Sequence, residues 1–200
     1  MKERPIIFST EMVRAILEGR KTQTRRVITS KRKLFNNAPN EWVISHIEMG
    51  NEWEFKDIKT LADYHILCPY GQVGDRLWVK ETFQTLGSKK NTVYRATGGA
   101  ELTWNINGTT HRETLKKWRS PLFMPRWASR ITLEITGLRV ERLQDISSPD
   151  IHAEGLPIIA NSATPLLWYR EIWDKLNAKR GYAWKSNPWV WVIEFKRLSD

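Results

Sequence analysis

The stretch Arg130-Ile131-Thr132-Leu133-Glu134-Ile135-Thr136-Gly137-Leu138-Arg139-Val140-Glu141-Arg142-Leu143 alternates apolar and polar residues with period two. Successive side chains of a strand point to opposite faces, so the pattern predicts a half-buried β-strand, with Gly137 as the place for a bend. Toward the C-terminus, Ser147-Ser148-Pro149-Asp150 opens a short helix with a cap residue followed by proline, and Gly155 closes it. Thr164-Pro165 repeats that opening for a helix over 165–177, with Leu166, Tyr169, Ile172, Trp173 and Leu176 on one face. Residues 188–196, which include Trp189-Val190-Trp191-Val192-Ile193, read as a buried strand.

Toward the N-terminus, Ile6-Ile7-Phe8 reads as a short buried strand, and Ser9 or Thr10 caps a helix over 10–18. Met12, Val13, Ile16 and Leu17 follow helical spacing, and Gly19 stands where helices commonly end in a left-handed residue. Residues 20–28 are basic and β-branched, a turn leading into a strand; 76–83 and 92–96 are two further strands. Residues 29–72 carry turn signals and an alternation at Trp42-Val43-Ile44 and Glu52-Trp53-Glu54-Phe55 that fits a small hairpin, so the segment reads as an insertion. Residues 97–120, rich in Gly, Asn and Thr, read as a second insertion, a long loop. Many strands with helices between them, and no regular βα alternation, predict one mainly β domain with helices (α+β) over residues 1–200, curled rather than doubly wound.

Composition narrows the function classes. With 40% apolar and 27% charged residues the chain is ordinary globular protein, not a disordered tail. The five-residue run at 189–193 is its longest apolar stretch, far short of the ~18–20 residues of a membrane-spanning helix. The N-terminus is charged at once, with too short an apolar stretch for a signal peptide, so the cytoplasm is the expected compartment. One cysteine, Cys68, and four scattered histidines offer no zinc spacing, so neither a metal nor a cofactor is expected.

Charge is distributed in blocks. Residues 1–35 hold 10 Lys+Arg against 3 Asp+Glu, residues 36–75 hold 2 against 7, and residues 76–143 hold 13 against 5. Two basic blocks flanking an acidic excursion point to a polyanion partner such as RNA, against the plainer reading of a soluble protein with a basic pI. The chain also has 11 tryptophans, which serve either as core or as stacking surfaces for bases. Trp78, Trp127 and Trp191 are the stacking candidates; Arg76, Lys80, Arg126 and Arg130 are candidates for phosphate contacts, and Glu81 for a second carboxylate in a cleft.

Several motifs coincide with a known family. Gly19-Arg20-Lys21-Thr22-Gln23-Thr24-Arg25-Arg26 resembles the GxKxxTxR signature of ASCH domains, members of the PUA-like superfamily. Gly74-Asp75-Arg76-Leu77-Trp78-Val79, Ile151-His152-Ala153-Glu154-Gly155-Leu156 and Trp191-Val192-Ile193-Glu194-Phe195 resemble later motifs of that family, in the family's order. Ile151 stands where the family helix often has Ala, and the two insertions have no counterpart in compact members. Met124-Pro125-Arg126-Trp127-Ala128-Ser129-Arg130 is similar to a subgroup carried by phages and prophages. The resemblance implies a PUA-like pseudo-barrel with flanking helices and a cleft for RNA or a modified nucleoside. It also implies an amidohydrolase that deacetylates N4-acetylcytidine with Lys21, Thr24 and Glu154 as catalytic residues. The alternative is a non-catalytic RNA-binding or modified-nucleotide-binding module, and a third option is an accessory protein docking a host protein through 36–75 or 97–120.

Amide hydrolysis needs a nucleophile, a proton acceptor and support for an oxyanion. Thr24 supplies a hydroxyl; Arg20, Arg25 and Arg26, adjacent in sequence, are cations that can lower the Lys21 pKa, and Arg26 is available for a phosphate or a carbonyl oxygen. Lys21 serves as a base only when part of it is neutral, which calls for burial or neighbouring cations. Glu154 either holds Lys21 or shuttles a proton to the departing amine, and these roles conflict, since a close carboxylate raises the lysine pKa. Positions 21 and 24 point to opposite faces of one strand, so convergence requires Lys21 on the turn after Gly19 and Thr24 in the strand, sharing its face with Thr22 and Arg26.

Overall fold

The computed structural model describes residues 1–29, 42–49, 52–57, 63–86, 88–98, 101–106, 109–114, 117–157 and 165–198. Its central element is a five-stranded mixed sheet, the α+β class expected. In sheet order it runs β1 (Glu3–Ile7), β6 (Arg76–Lys80), β11 (Thr132–Arg142), β12 (Trp189–Arg197) and β2 (Gln23–Val27). β1 and β6 are parallel and the other pairs antiparallel. The remaining strands form smaller antiparallel sheets: β3 (Trp42–Met49) with β4 (Glu52–Asp57) and β5 (Asp63–Leu67), β7 (Phe83–Leu86) with β8 (Ser88–Tyr94), and β9 (Glu101–Ile106) with β10 (Thr109–Thr114). Residues 97–120, expected as a loop, thus contain a hairpin; Asn107-Gly108 lies between two β-prone runs there, a strong hairpin signal.

The alternating stretch is β11, and its register against β12 shifts between Ile135 and Gly137. A Cβ at Gly137 would lie 2.6 Å from the Glu194 carboxylate, so glycine admits that side chain at the bend. β12 is buried on both faces, which is why its sequence is continuously apolar. Trp191, Ile193 and Phe195 pack with Ile6, Phe8, Leu77 and Leu133, beneath Val13 and Ile16 of α1 (Thr10–Leu17). Val190 and Val192 pack on Ile151 of α2 (Ser148–Ala153) and on Tyr169 and Trp173 of α3 (Pro165–Asn177). Trp191, 1% exposed, is therefore core and not a stacking surface. The apolar face expected for α3 is buried only in its middle, since Leu166 and Leu176 are each 44% exposed.

Helix ends are fixed by side chains. Ser9 caps α1 by accepting from the Met12 N–H. Ser147 and Asp150 form a full capping box on α2. The edge strands β1 and β2 approach each other, and Arg26 of β2 donates through Nη2 to the Ile7 carbonyl at 2.6 Å. Cys68 is buried, and burial pushes its thiol up to about 11, consistent with an unreactive residue.

Candidate functional site

The turn after α1 places the first candidate. Gly19 adopts φ +74°, and the N–H groups of Arg20 and Lys21 both donate to the Ala15 carbonyl, at 2.9 and 3.0 Å. Lys21 consequently leaves the helix ahead of β2 and forms an isolated antiparallel bridge with Glu154, the C-cap of α2. Gly155 follows with φ +98°, and a Cβ there would come within 3.0 Å of Ala15 Cβ and 3.2 Å of Lys21 Cβ. Two helix ends therefore meet where only glycine fits.

At this junction Lys21 Nζ donates to the Glu154 carboxylate at 2.7 Å and to the Glu154 carbonyl at 2.9 Å. The Lys21 side chain has no solvent exposure and that of Glu154 only 5%. Burial pulls the Lys21 ammonium below its ordinary pKa; Glu154 opposes the shift, and Arg26 and Arg25 reinforce it. The conflict left open by the sequence thus resolves downward, toward a lysine that gives up its proton more readily.

Arg25 ties this pair to a wider ionic cluster. Its Nη1 lies 3.4 Å from Glu154 Oε1, and its Nη2 donates to Glu141 at 2.9 Å and Asp150 at 3.0 Å. Arg139 pairs with Asp150, Glu141 and Glu194. Burial would raise the Asp150 carboxyl, but the Ser147 hydroxyl and Arg25 outweigh it and hold it at about 2. The Glu154 carboxylate is thus flanked by Lys21 on one oxygen and Arg25 on the other.

Beside this cluster lies a cavity of about 240 Å³, lined by Thr24, Arg25, Arg26 and Glu154 together with Tyr70, Tyr169, Trp173 and Arg180. Thr24 and Glu154 therefore face one space, whereas Lys21 contacts Glu154 and does not line the cavity. Thr22, expected on the same face as Thr24, is exposed, while Thr24 is buried. Arg26 places its guanidinium 5.1 Å from the Phe8 ring centroid. Arg20 lines a second cavity between α1 and α3 and donates to the Glu18 carboxylate and to the carbonyls of Gly155 and Leu156.

The other sequence candidates lie outside both cavities. Trp78 is half-buried, with Lys80 Nζ 5.6 Å and the Arg126 guanidinium 6.0 Å from its ring centroid. Arg126 also pairs with Glu3 at 3.1 Å, Trp127 is 48% exposed, and Arg76 is half-buried on the same strand as Trp78. Glu81 is buried and takes a two-pronged contact from Arg130, at 2.9 and 3.1 Å; Arg130 also lies 4.0 Å from the Tyr94 ring centroid. Sequence reasoning missed Asp150, Glu141, Arg139, Tyr169 and Arg180. The available signal was the Arg139/Glu141 pair, two charges one strand period apart on a strand that is otherwise half apolar. Among the described residues no group of three or more His, Cys, Asp or Glu could hold a metal ion, and no helix is long and apolar enough to cross a membrane.

No protein-family model matches the chain, and no curated protein matches it. Among solved structures the chain is similar to the crystal structure of an ASCH domain from Lactobacillus crispatus JV V101, with a TM-score of 0.43 and 13% sequence identity, over 98% of this chain and 79% of that one.

Proposed function

We propose that the protein is an amidohydrolase acting on N4-acetylcytidine-type modified nucleosides, with Thr24, Lys21 and Glu154 as its working residues. The observation that carries this reading is the buried Lys21–Glu154 pair, 2.7 Å apart, whose carboxylate lines the same cavity as Thr24. Thr24 Oγ1 attacks the acetyl carbon and gives its proton to the Lys21–Glu154 pair. The C–N4 bond then breaks, the pair returns the proton to the departing cytosine amine, and water releases acetate from Thr24. The cavity is smaller than the ~300–1,000 Å³ of common ligand sites, which suits a base or nucleoside and not a folded chain.

The test is incubation with N4-acetylcytidine, following cytidine by chromatography. Turnover by the native protein and its loss in Thr24→Ala, with an unchanged circular dichroism spectrum, is the expected result. Absence of turnover, or full activity in Thr24→Ala, overturns the assignment.

A second reading, a binding surface for single-stranded RNA, is supported by Lys80 and Arg126 against the Trp78 ring and by the exposed Phe123 and Trp127, sequence neighbours of Leu122, whose carbonyl accepts from Lys80, and of Arg126. It predicts affinity for oligonucleotides that falls steeply with salt and weakens in Trp127→Ala. Salt-insensitive binding, or none, removes it.

A further inference from the structure

We propose that the cavity contains an anion subsite, formed by Arg26 and Arg180, that receives the phosphate monoester of a pyrimidine nucleotide. The inference rests on reading the cavity as the nucleoside site and names its substrate more closely.

Two guanidiniums line this one space. Arg26 uses Nη2 on the Ile7 carbonyl, but its Nε is buried without a hydrogen-bond partner. A buried, unpaired guanidinium N–H is a costly group that calls for a partner such as an ion or water, and Arg25 Nε in the same wall is unpaired as well. Arg180 ends the 3₁₀ turn Ala178–Arg180 that follows α3, and among the described residues no carboxylate pairs with it. The two act on one another as like charges: burial lowers the Arg26 pKa and Arg180 adds to that shift.

Glu154, the carboxylate in the wall, offsets part of the Arg26 charge, but its oxygens are engaged by Lys21 at 2.7 Å and Arg25 at 3.4 Å, and it stands alone in the lining against Arg25, Arg26 and Arg180. The cavity therefore presents an excess of positive charge to whatever enters it. Guanidinium forks match phosphate geometry, and Tyr70, Tyr169 and Trp173 supply aromatic lining for a base in the same space. The phosphate belongs either to a free mononucleotide or to the 5′ end of an RNA chain, since the chemistry recognised is the same.

Calorimetric titration with cytidine 5′-monophosphate, cytidine and inorganic phosphate tests the subsite. The monophosphate is expected to bind about tenfold or more tightly than cytidine, inorganic phosphate to compete with it, and Arg180→Gln to remove most of that preference. Equal binding of the two, binding of neither, or an equal loss for both in Arg180→Gln overturns the proposal. A 5′-phosphorylated oligocytidylate that matches the monophosphate identifies a chain end as the source, and one that binds more weakly identifies the free nucleotide. Neither small ligand carries an acetyl group, so the outcome is separable from the reaction. Turnover of N4-acetylcytidine with equal binding removes the subsite alone, and a monophosphate preference without turnover removes the reaction alone.

Discussion

Glu154→Gln removes the single carboxylate that pairs with Lys21 while keeping the shape of the side chain. Arg25 retains Glu141 and Asp150 at 2.9 and 3.0 Å, so it remains compensated. Lys21 has no such reserve: it donates to the Glu154 carboxylate and carbonyl, and its side chain is fully buried. Breaking a buried ion pair by removing one partner costs about 3–5 kcal/mol. The lysine can escape the full cost by losing its proton, and from an ordinary pKa of ~10.4 that escape costs about 4.6 kcal/mol at pH ~7 but about 1.9 kcal/mol at pH ~9. The sign follows from proton counting: with the Lys21 pKa lowered in the folded state, the unfolded chain binds more protons in this window, and stability rises with pH. The window is wider in the variant, because Glu154 raises the lysine pKa in the native protein. Urea unfolding of both proteins at the two pH values, with equal m-values required, should show a destabilisation of about 2–4 kcal/mol near neutrality that shrinks below about 2 kcal/mol at the higher pH. Adding Lys21→Met to Glu154→Gln should recover part of the loss, since neither partner of the pair then leaves an unpaired buried charge. A loss that is the same at both pH values, or larger at the higher one, refutes the buried pair as described.

Two further outcomes follow from the same junction. Asp150, held at about 2, contributes stability above the ordinary aspartate value that is lost as pH falls from ~4 through ~2; Asp150→Asn should be less stable near neutrality by about 1 kcal/mol after solvent screening, and the difference in urea midpoints should close on acidification. Gly155→Ala forces a Cβ toward Ala15 and Lys21 at φ +98°, and thermal melts should show a destabilisation of about 1–3 kcal/mol.

The elements that sequence reasoning located are those whose signal is local. β11 is visible through alternation over eleven residues, and α2 through Ser147, Pro149 and Asp150 within one turn. The hairpin of β9 and β10 is hidden because Gly, Asn and Thr read as loop composition, although Asn107-Gly108 between two β-prone runs is itself a hairpin signal. The α3 face was overdrawn for a different reason: helical periodicity identifies which residues share a face, but not how far the neighbouring layer extends. Tyr169 and Trp173 meet α2 and β12, whereas Leu176 lies at the cavities. The Lys21–Glu154 contact spans 133 positions and has no periodicity to announce it; only the family resemblance of the two motifs suggested it. The resemblance carried three residues and none of the ionic cluster around them, because Arg25, Glu141 and Asp150 come together from β2, β11 and α2.

The cluster determines what proton chemistry the cavity supports. A buried lysine alone tends to be neutral and a buried glutamate alone tends to be protonated, so each would be suited to one half of an acyl transfer. Here the Lys21 ammonium lies 2.7 Å from one Glu154 carboxylate oxygen and Arg25 lies 3.4 Å from the other. In the proposed reaction, accepting the Thr24 proton would give the pair a net positive charge beside Arg26, an unfavourable step in a site rich in cations. An anion between Arg26 and Arg180 offsets that charge and raises the proton affinity of the pair. On the proposed reaction and subsite, phosphate binding and proton transfer would be linked, and a nucleotide should gain in kcat as well as in KM relative to its nucleoside, whereas a phosphate that only anchors would lower KM alone.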